Sequence, residues 1–201
     1  MKRLLLLLLL VFLSPTMAQE AGLKKAMARE LPGYSTWNLR TSGNWALCGW
    51  SAQEAEGMAL FHRYPGGWEL AQSGGGAMGP AELAILGVPA SDRSRLMPDV
   101  PPSEQTRATE VLKKPYWTWL TDKPDMSDGD LETYTAWELT LMRNEIFARH
   151  GRPFSNTELR AYFLERPWYS PDSGFSESRL TPVQRANVSR IADYQKRSGK
   201  L

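Results

Sequence analysis

Cysteine is nearly absent from this chain of 201 residues: Cys48 stands alone, which excludes a disulfide-stapled scaffold. Two histidines, His62 and His150, leave little from which to build a histidine-rich metal centre. The sequence has no Gly-x-Ser-x-Gly elbow, no His-Glu-x-x-His pair and no paired cysteines, so the commonest hydrolase and zinc signatures are missing. It also has no apolar run of the roughly 20 residues that a membrane-spanning helix needs. The longest, from Leu4 to Leu13, is about half that length. What remains is ordinary globular composition, 42% hydrophobic and 23% charged, which excludes a disordered, collagen-like or multi-span membrane chain.

That short apolar run sits behind Lys2 and Arg3 and ahead of Pro15-Thr16-Met17-Ala18. A basic start, an apolar centre and a small residue at the end form the layout of a secretory signal peptide. Residues 1–18 are therefore expected to be removed after Ala18, leaving an exported protein, periplasmic or extracellular, with no transmembrane segment. Cys48 lies too far downstream to accept a lipid. Cleavage removes two of the 24 basic residues and leaves 22 against 22 acidic ones. A neutral chain without a concentrated basic face gives no expectation of nucleic-acid binding.

The mature chain reads as three stretches. In residues 19–89 the spacing of Leu23, Met27 and Leu31 predicts a short amphipathic helix. Runs at Trp45–Trp50, Met58–Tyr64 and Trp68–Gln72 predict a three-stranded antiparallel meander, with Pro65-Gly66 suited to a type II turn. Cys48 lies within the first run and is expected to be buried or to pair between chains. A glycine-rich joint at Gly74–Gly76 follows. A short helix comes next, with Gly79 as its cap, Pro80 at the first helical position, Glu82 at the third and Gly87 as its stop. Gly43-Asn44-Trp45-Ala46-Leu47, Gly66-Gly67-Trp68-Glu69-Leu70 and Gly87-Val88-Pro89 make this part similar to a small exported bacterial α+β domain, a likeness that implies a fold and no chemistry.

Residues 90–130 hold five of the 14 prolines with many serines and aspartates, and read as a linker or crossing segment. Tyr116-Trp117-Thr118-Trp119-Leu120 is too aromatic to lie in water and is expected to dock on a flanking domain. Asp122, Asp125, Asp128 and Asp130 surround Gly129 without the glycine-to-carboxylate register of a calcium loop, so no metal is expected there.

Residues 131–201 carry three helix starts with capping-box spacing: Thr135 with Glu138, Ser155 with Glu158, and Thr181 with Gln184 behind Pro182. Gly151 is placed to end the first helix. On that helix Leu139, Met142 and Ile146 form one stripe, extended by His150. Trp137, Leu141 and Ala148 form another on the opposite side, so the helix should be sandwiched between two layers. Trp137-Glu138-Leu139, the run Met142-Arg143-Asn144-Glu145-Ile146-Phe147-Ala148-Arg149-His150-Gly151, Tyr162-Phe163, Pro167-Trp168-Tyr169 and Ala186-Asn187 follow in fixed order. In these residues the segment from about Leu131 to Tyr194 resembles the YARHG domain family, with Phe147 in place of the tyrosine of the name motif. The resemblance implies an exported or cell-surface module, and binding of wall or envelope components.

The expected fold is thus α+β: an N-terminal helix, a three-stranded meander and a short helix, followed by a three-helix YARHG-like domain. Candidate ligand contacts are Arg149 and His150 at the end of one helix, and Arg166, Trp168 and Tyr169 between the next two, where rings could stack on sugar faces and Arg166 could meet a carboxylate. The competing reading makes Trp168 a plug between helices and His150 a partner of its own helix's last carbonyls. Glu145 and Arg149, four apart, are expected to form a surface pair. No catalytic set and no cofactor is expected. The functional expectation is a non-enzymatic envelope protein recognising peptidoglycan glycan or another envelope protein. The alternative is a hydrolase with a site between the two modules using His150 or Cys48.

Overall fold

The computed structural model describes residues 15–200. The expected signal sequence falls largely on residues 1–14, outside the described residues. The expected cleavage point after Ala18 lies within the first helix, α1 (Pro15–Glu30). Among the described residues no helix is long and apolar enough to cross a membrane.

The fold is α+β, with a sheet of four antiparallel strands in sequence order rather than three. They are β1 (Ser35–Ser42), β2 (Trp45–Ala52), β3 (Ala55–Tyr64) and β4 (Gly67–Gly75). The additional strand, β1, is a largely exposed edge whose sequence, Ser-Thr-Trp-Asn-Leu-Arg-Thr-Ser, has only two apolar residues, Trp37 and Leu39, both exposed. Asn38 takes a left-handed φ of 50°, and the register slips between Trp37 and Arg40, which breaks the period-two pattern. β4 continues through Gly74 and Gly75, so most of the expected glycine joint is strand. The β3–β4 turn does fall at Pro65-Gly66, with Tyr64 paired to Gly67. It is Gly67, with φ 129°, that adopts the positive angle, whereas a type II turn would place it at Gly66.

β2 is buried along most of its length because both faces of the sheet are covered. Ala46, Cys48 and Trp50 face Leu23, Ala26, Met27 and Leu31 of α1 and its end. Trp45 and Leu47 face a second core that also holds Leu83 and Leu86 from α2 (Pro80–Ile85) and its C-cap. That core takes Trp137, Leu141 and Ala148 from α6 (Ala136–Ala148) and Tyr162 and Phe163 from α7 (Thr157–Leu164). Between α2 and α6 run the short helices α3 (Ala90–Leu96), α4 (Pro102–Arg107) and α5 (Thr118–Thr121), with a 3-10 turn over Ala108–Lys113.

The other side of α6 presents Leu139, Met142 and Ile146 to a third core with Trp117, Leu120, Met126, Leu131 and Ile191, the last from α8 (Pro182–Ser198). The two stripes of α6 therefore lie in different cores, as a helix packed on both sides requires. Capping boxes start α6 at Thr135 and α8 at Thr181. α7 is capped one residue later than its sequence suggests: the Asn156 side chain, rather than that of Ser155, accepts from the N–H groups of Glu158 and Leu159.

Candidate functional site

The signature residues of α6 and α8 spend their polar groups on the segment that precedes them. Glu145 is 2% exposed, and its carboxylate accepts the backbone N–H groups of Tyr116 and Trp117, each at 2.8 Å. It is not the surface partner of Arg149. That guanidinium instead forms a two-pronged pair with Asp122, at 2.7 and 3.0 Å, and reaches the hydroxyl of Thr121. Asn187, 1% exposed, donates to the carbonyls of Thr121 and Lys123. Gln184 links His150 to the same place: its Oε1 lies 2.8 Å from His150 Nε2 and its amide nitrogen donates to Asp122. His150 thus meets a side chain of α8, and the carbonyl of His150 accepts from Arg179.

Asp130 pairs with Lys123 and Asp128 with Arg197, so with Asp122 three of the four aspartates of this region each meet a cation. Lys123 and the N–H and hydroxyl of Ser127 hold the Asp130 carboxyl down to about 2.

The other candidate contacts lie elsewhere. Arg166, 3% exposed, covers the Tyr162 ring at 3.2 Å and donates to the carbonyls of Tyr162, Ala84 and Ile85. Its donors are spent on carbonyls at the C-terminal end of α2 and on α7, and none is bonded to a carboxylate among the described residues. Tyr169 is buried and its hydroxyl donates to the Arg152 carbonyl. Trp168 is half-buried against Phe163. Arg149 and His150 are therefore brought together with Asp122 and Gln184, while Arg166, Trp168 and Tyr169 belong to the packing around α7.

Cys48 is fully buried between the sheet and α1, and burial pushes its thiol up to about 11. Its neighbours are the apolar residues of that core, whereas His150 bonds Gln184 of α8.

Several hollows mark the surface, one of about 470 Å³ between Arg29, Glu69, Thr135 and Lys200, and the one richest in buried aromatic residues lies where the sheet, α3 and α7 meet. A cleft of about 310 Å³ has His62, Trp45, Trp137 and Tyr162 at its base and Asn44, Arg63, Asp92, Glu158 and Glu165 around its mouth. A second hollow of about 500 Å³, reaching Trp68 and Gln19, adjoins it at the shared residues Asn44, Arg63 and Glu158, and the two together are called the groove. Each wall has a local cause. Glu158, Tyr162 and Glu165 are spaced i, i+4, i+7, which places them on one face of α7 and its C-cap. Gly87, with φ 94°, allows the close approach of Tyr162: a Cβ there would lie 2.6 Å from the ring. Asp92 accepts from the Ser42 hydroxyl at 2.6 Å, tying α3 to the end of β1. Arg63 is fixed by two bonds to the Asn44 side chain, at 2.6 and 3.2 Å.

His62 is 4% exposed and stacked on Trp45 at 4.1 Å between ring centres, with Trp137 at 4.9 Å and Tyr64 at 4.4 Å. Burial, aided by the neighbouring Arg63, lowers it to about 4, so it is neutral at physiological pH. Its Nδ1 has no hydrogen-bond partner among the described residues. Burial also raises Glu158 and Glu165 above the ordinary carboxyl range. None of the five expected contacts lines this groove. Its residues were readable only in part: the 158, 162, 165 spacing is present in the sequence, but the approach of His62, in a strand, to Trp137, in a helix, is a tertiary fact.

The arrangement offers aromatic surface, an amide, carboxylates and one guanidinium in a single hollow, the equipment of a binding site. No hydrogen bond among the described residues couples His62 to a carboxylate, as a base and its orienting group would be.

No curated protein and no solved structure is significantly similar to the chain. The YARHG domain model matches residues 115–196. Its span begins before Leu131 and takes in Tyr116 to Lys123, the segment that the side chains of Glu145, Arg149, Gln184 and Asn187 hold. Residues 115–196 of this protein are a YARHG domain.

Proposed function

We propose that this is an exported, non-enzymatic protein of the bacterial envelope, periplasmic or extracellular, that recognises a cell-wall glycan in the groove between its sheet and α7. The observation that carries this reading is the groove itself: aromatic residues at the base and hydrogen-bonding side chains at the mouth. The extracellular type of the YARHG domain and the signal-like first 18 residues support the location.

The test is sedimentation of the purified protein with insoluble peptidoglycan, beside an Ala161→Arg variant. Ala161 is exposed and lines the groove, so a long cationic side chain there fills it without entering the core. Co-sedimentation that Ala161→Arg abolishes while the melting temperature stays unchanged is the expected result. Wild-type protein that stays in solution, or a variant that sediments as well as wild type, overturns the reading. Capture of an envelope protein by the same groove, with no binding to peptidoglycan, would replace the glycan as the partner.

A further inference from the structure

The outer hollow of the groove is walled on one side by the start of α1. Gln19 and Gly22 line it together with Trp68, Arg63 and Glu158. This wall is held in place. The indole Nε1 of Trp68 donates to the Gln19 carbonyl at 3.1 Å, and a Cβ on Gly22 would lie 3.5 Å from Cδ1 of the same indole. One turn further on, Leu23, Ala26 and Met27 bury α1 against the sheet. The expected cut after Ala18 falls at this wall and makes Gln19 the first residue of the mature chain. Its side chain is exposed to solvent. The α-amine released there has an ordinary pKa of about 8, so a fraction is unprotonated and nucleophilic at neutral pH. Its own side-chain carboxamide is tethered within reach of a five-membered ring, an intramolecular arrangement that favours reaction. The helix adds a thermodynamic reason. An ammonium on the first residue of α1 meets the positive end of the helix dipole, which loss of the charge relieves. The neighbouring Glu20 carboxylate is already engaged with Lys24 at 2.8 Å.

Resting on the export half of the reading above, we infer that the mature chain begins with a pyroglutamyl residue formed from Gln19. The α-nitrogen attacks Cδ of its own side chain, a C–N bond forms and the bond from Cδ to Nε2 breaks. The side-chain nitrogen leaves as ammonia, taking one proton from the attacking amine. No oxidant or cofactor enters. The backbone carbonyl that Trp68 holds is untouched, so the product is an uncharged lactam ring in the wall of the outer hollow.

The test is the intact mass of the exported protein, made from its full sequence in an exporting bacterium and kept in neutral buffer until the mass stops changing. The expected value is that of residues 19–201 less one ammonia, with stepwise N-terminal sequencing blocked because no free α-amine remains. Gln19→Asn is the control, since its shorter side chain would have to close a four-membered ring. That variant is expected to keep its full mass and to give a readable N-terminus. Wild-type residues 19–201 at full mass, with Gln19 readable, overturn the inference and leave the export reading intact. A chain that still starts at Met1 overturns both. Loss of ammonia that persists in Gln19→Asn belongs to another residue and contradicts the inference.

Discussion

His62 shows how one residue's surroundings set a measurable property of the whole chain. Its folded pKa of about 4 lies below the ordinary 6.5, so the unfolded chain binds a proton first as pH falls. The stability it contributes is complete above pH 6.5 and is lost through the window from 6.5 to 4, by about 3 kcal/mol. Raised carboxyls at Glu138, Glu145, Glu158 and Glu165 act in the opposite sense, favouring the fold as they protonate. Denaturant unfolding of wild type and His62→Phe at pH 7 and pH 4.5 separates the two. The variant should lack most of the acid sensitivity that is due to His62, and parallel pH curves would show that the imidazole does not remain neutral. Gly87→Ala tests the same wall from the other side. A Cβ 2.6 Å from Tyr162, on a backbone with φ 94°, should cost about 1–3 kcal/mol and distort the groove. An unchanged melting temperature would show that the ring has room to withdraw.

At the scale of elements, α6 organises the helical part through one buried carboxylate. Glu145→Ala leaves the N–H groups of Tyr116 and Trp117 without acceptors, at about 1–3 kcal/mol for each that stays dry. Amide exchange should accelerate first at those two positions, ahead of the helices. Uniform acceleration across α6 and α8 would mean that Glu145 supports the core generally rather than this junction. The elements themselves were mostly legible in sequence, and for identifiable reasons. The caps at Thr135 and Thr181, the stop at Gly151 and the double stripe of α6 are local signals that tertiary packing did not override. β1 was illegible because its alternation is confined to two apolar residues, Trp37 and Leu39, and Asn38 between them breaks its period. The partners of Glu145 and Arg149 were illegible because spacing on one helix says nothing about a segment about 30 residues earlier. The candidate contacts at Arg149, His150, Arg166, Trp168 and Tyr169 share that origin: unusual side chains stand out in sequence, whereas a hollow is defined by elements that meet only after folding.

At the scale of the whole molecule, the boundaries drawn in sequence near residues 89 and 131 do not separate the cores. Trp45, Leu47 and Leu60 from the sheet pack in one cluster with Trp137, Leu141 and Phe163 from the helices. A shared core predicts a single cooperative unfolding transition, with tryptophan fluorescence and far-ultraviolet circular dichroism superimposing. Two separated transitions would show that sheet and helices are held by their own cores alone. A groove formed across that junction inherits the same rigidity, which is what a preformed recognition site requires. The account as a whole rests on the groove being where the ligand goes. Its most direct test is the map of backbone amide shift changes when soluble peptidoglycan fragments are titrated into labelled protein. The account predicts changes centred on Asn44, His62, Arg63, Glu158 and Tyr162. Changes centred instead on His150 and Trp168, or none at saturating fragment, would contradict it.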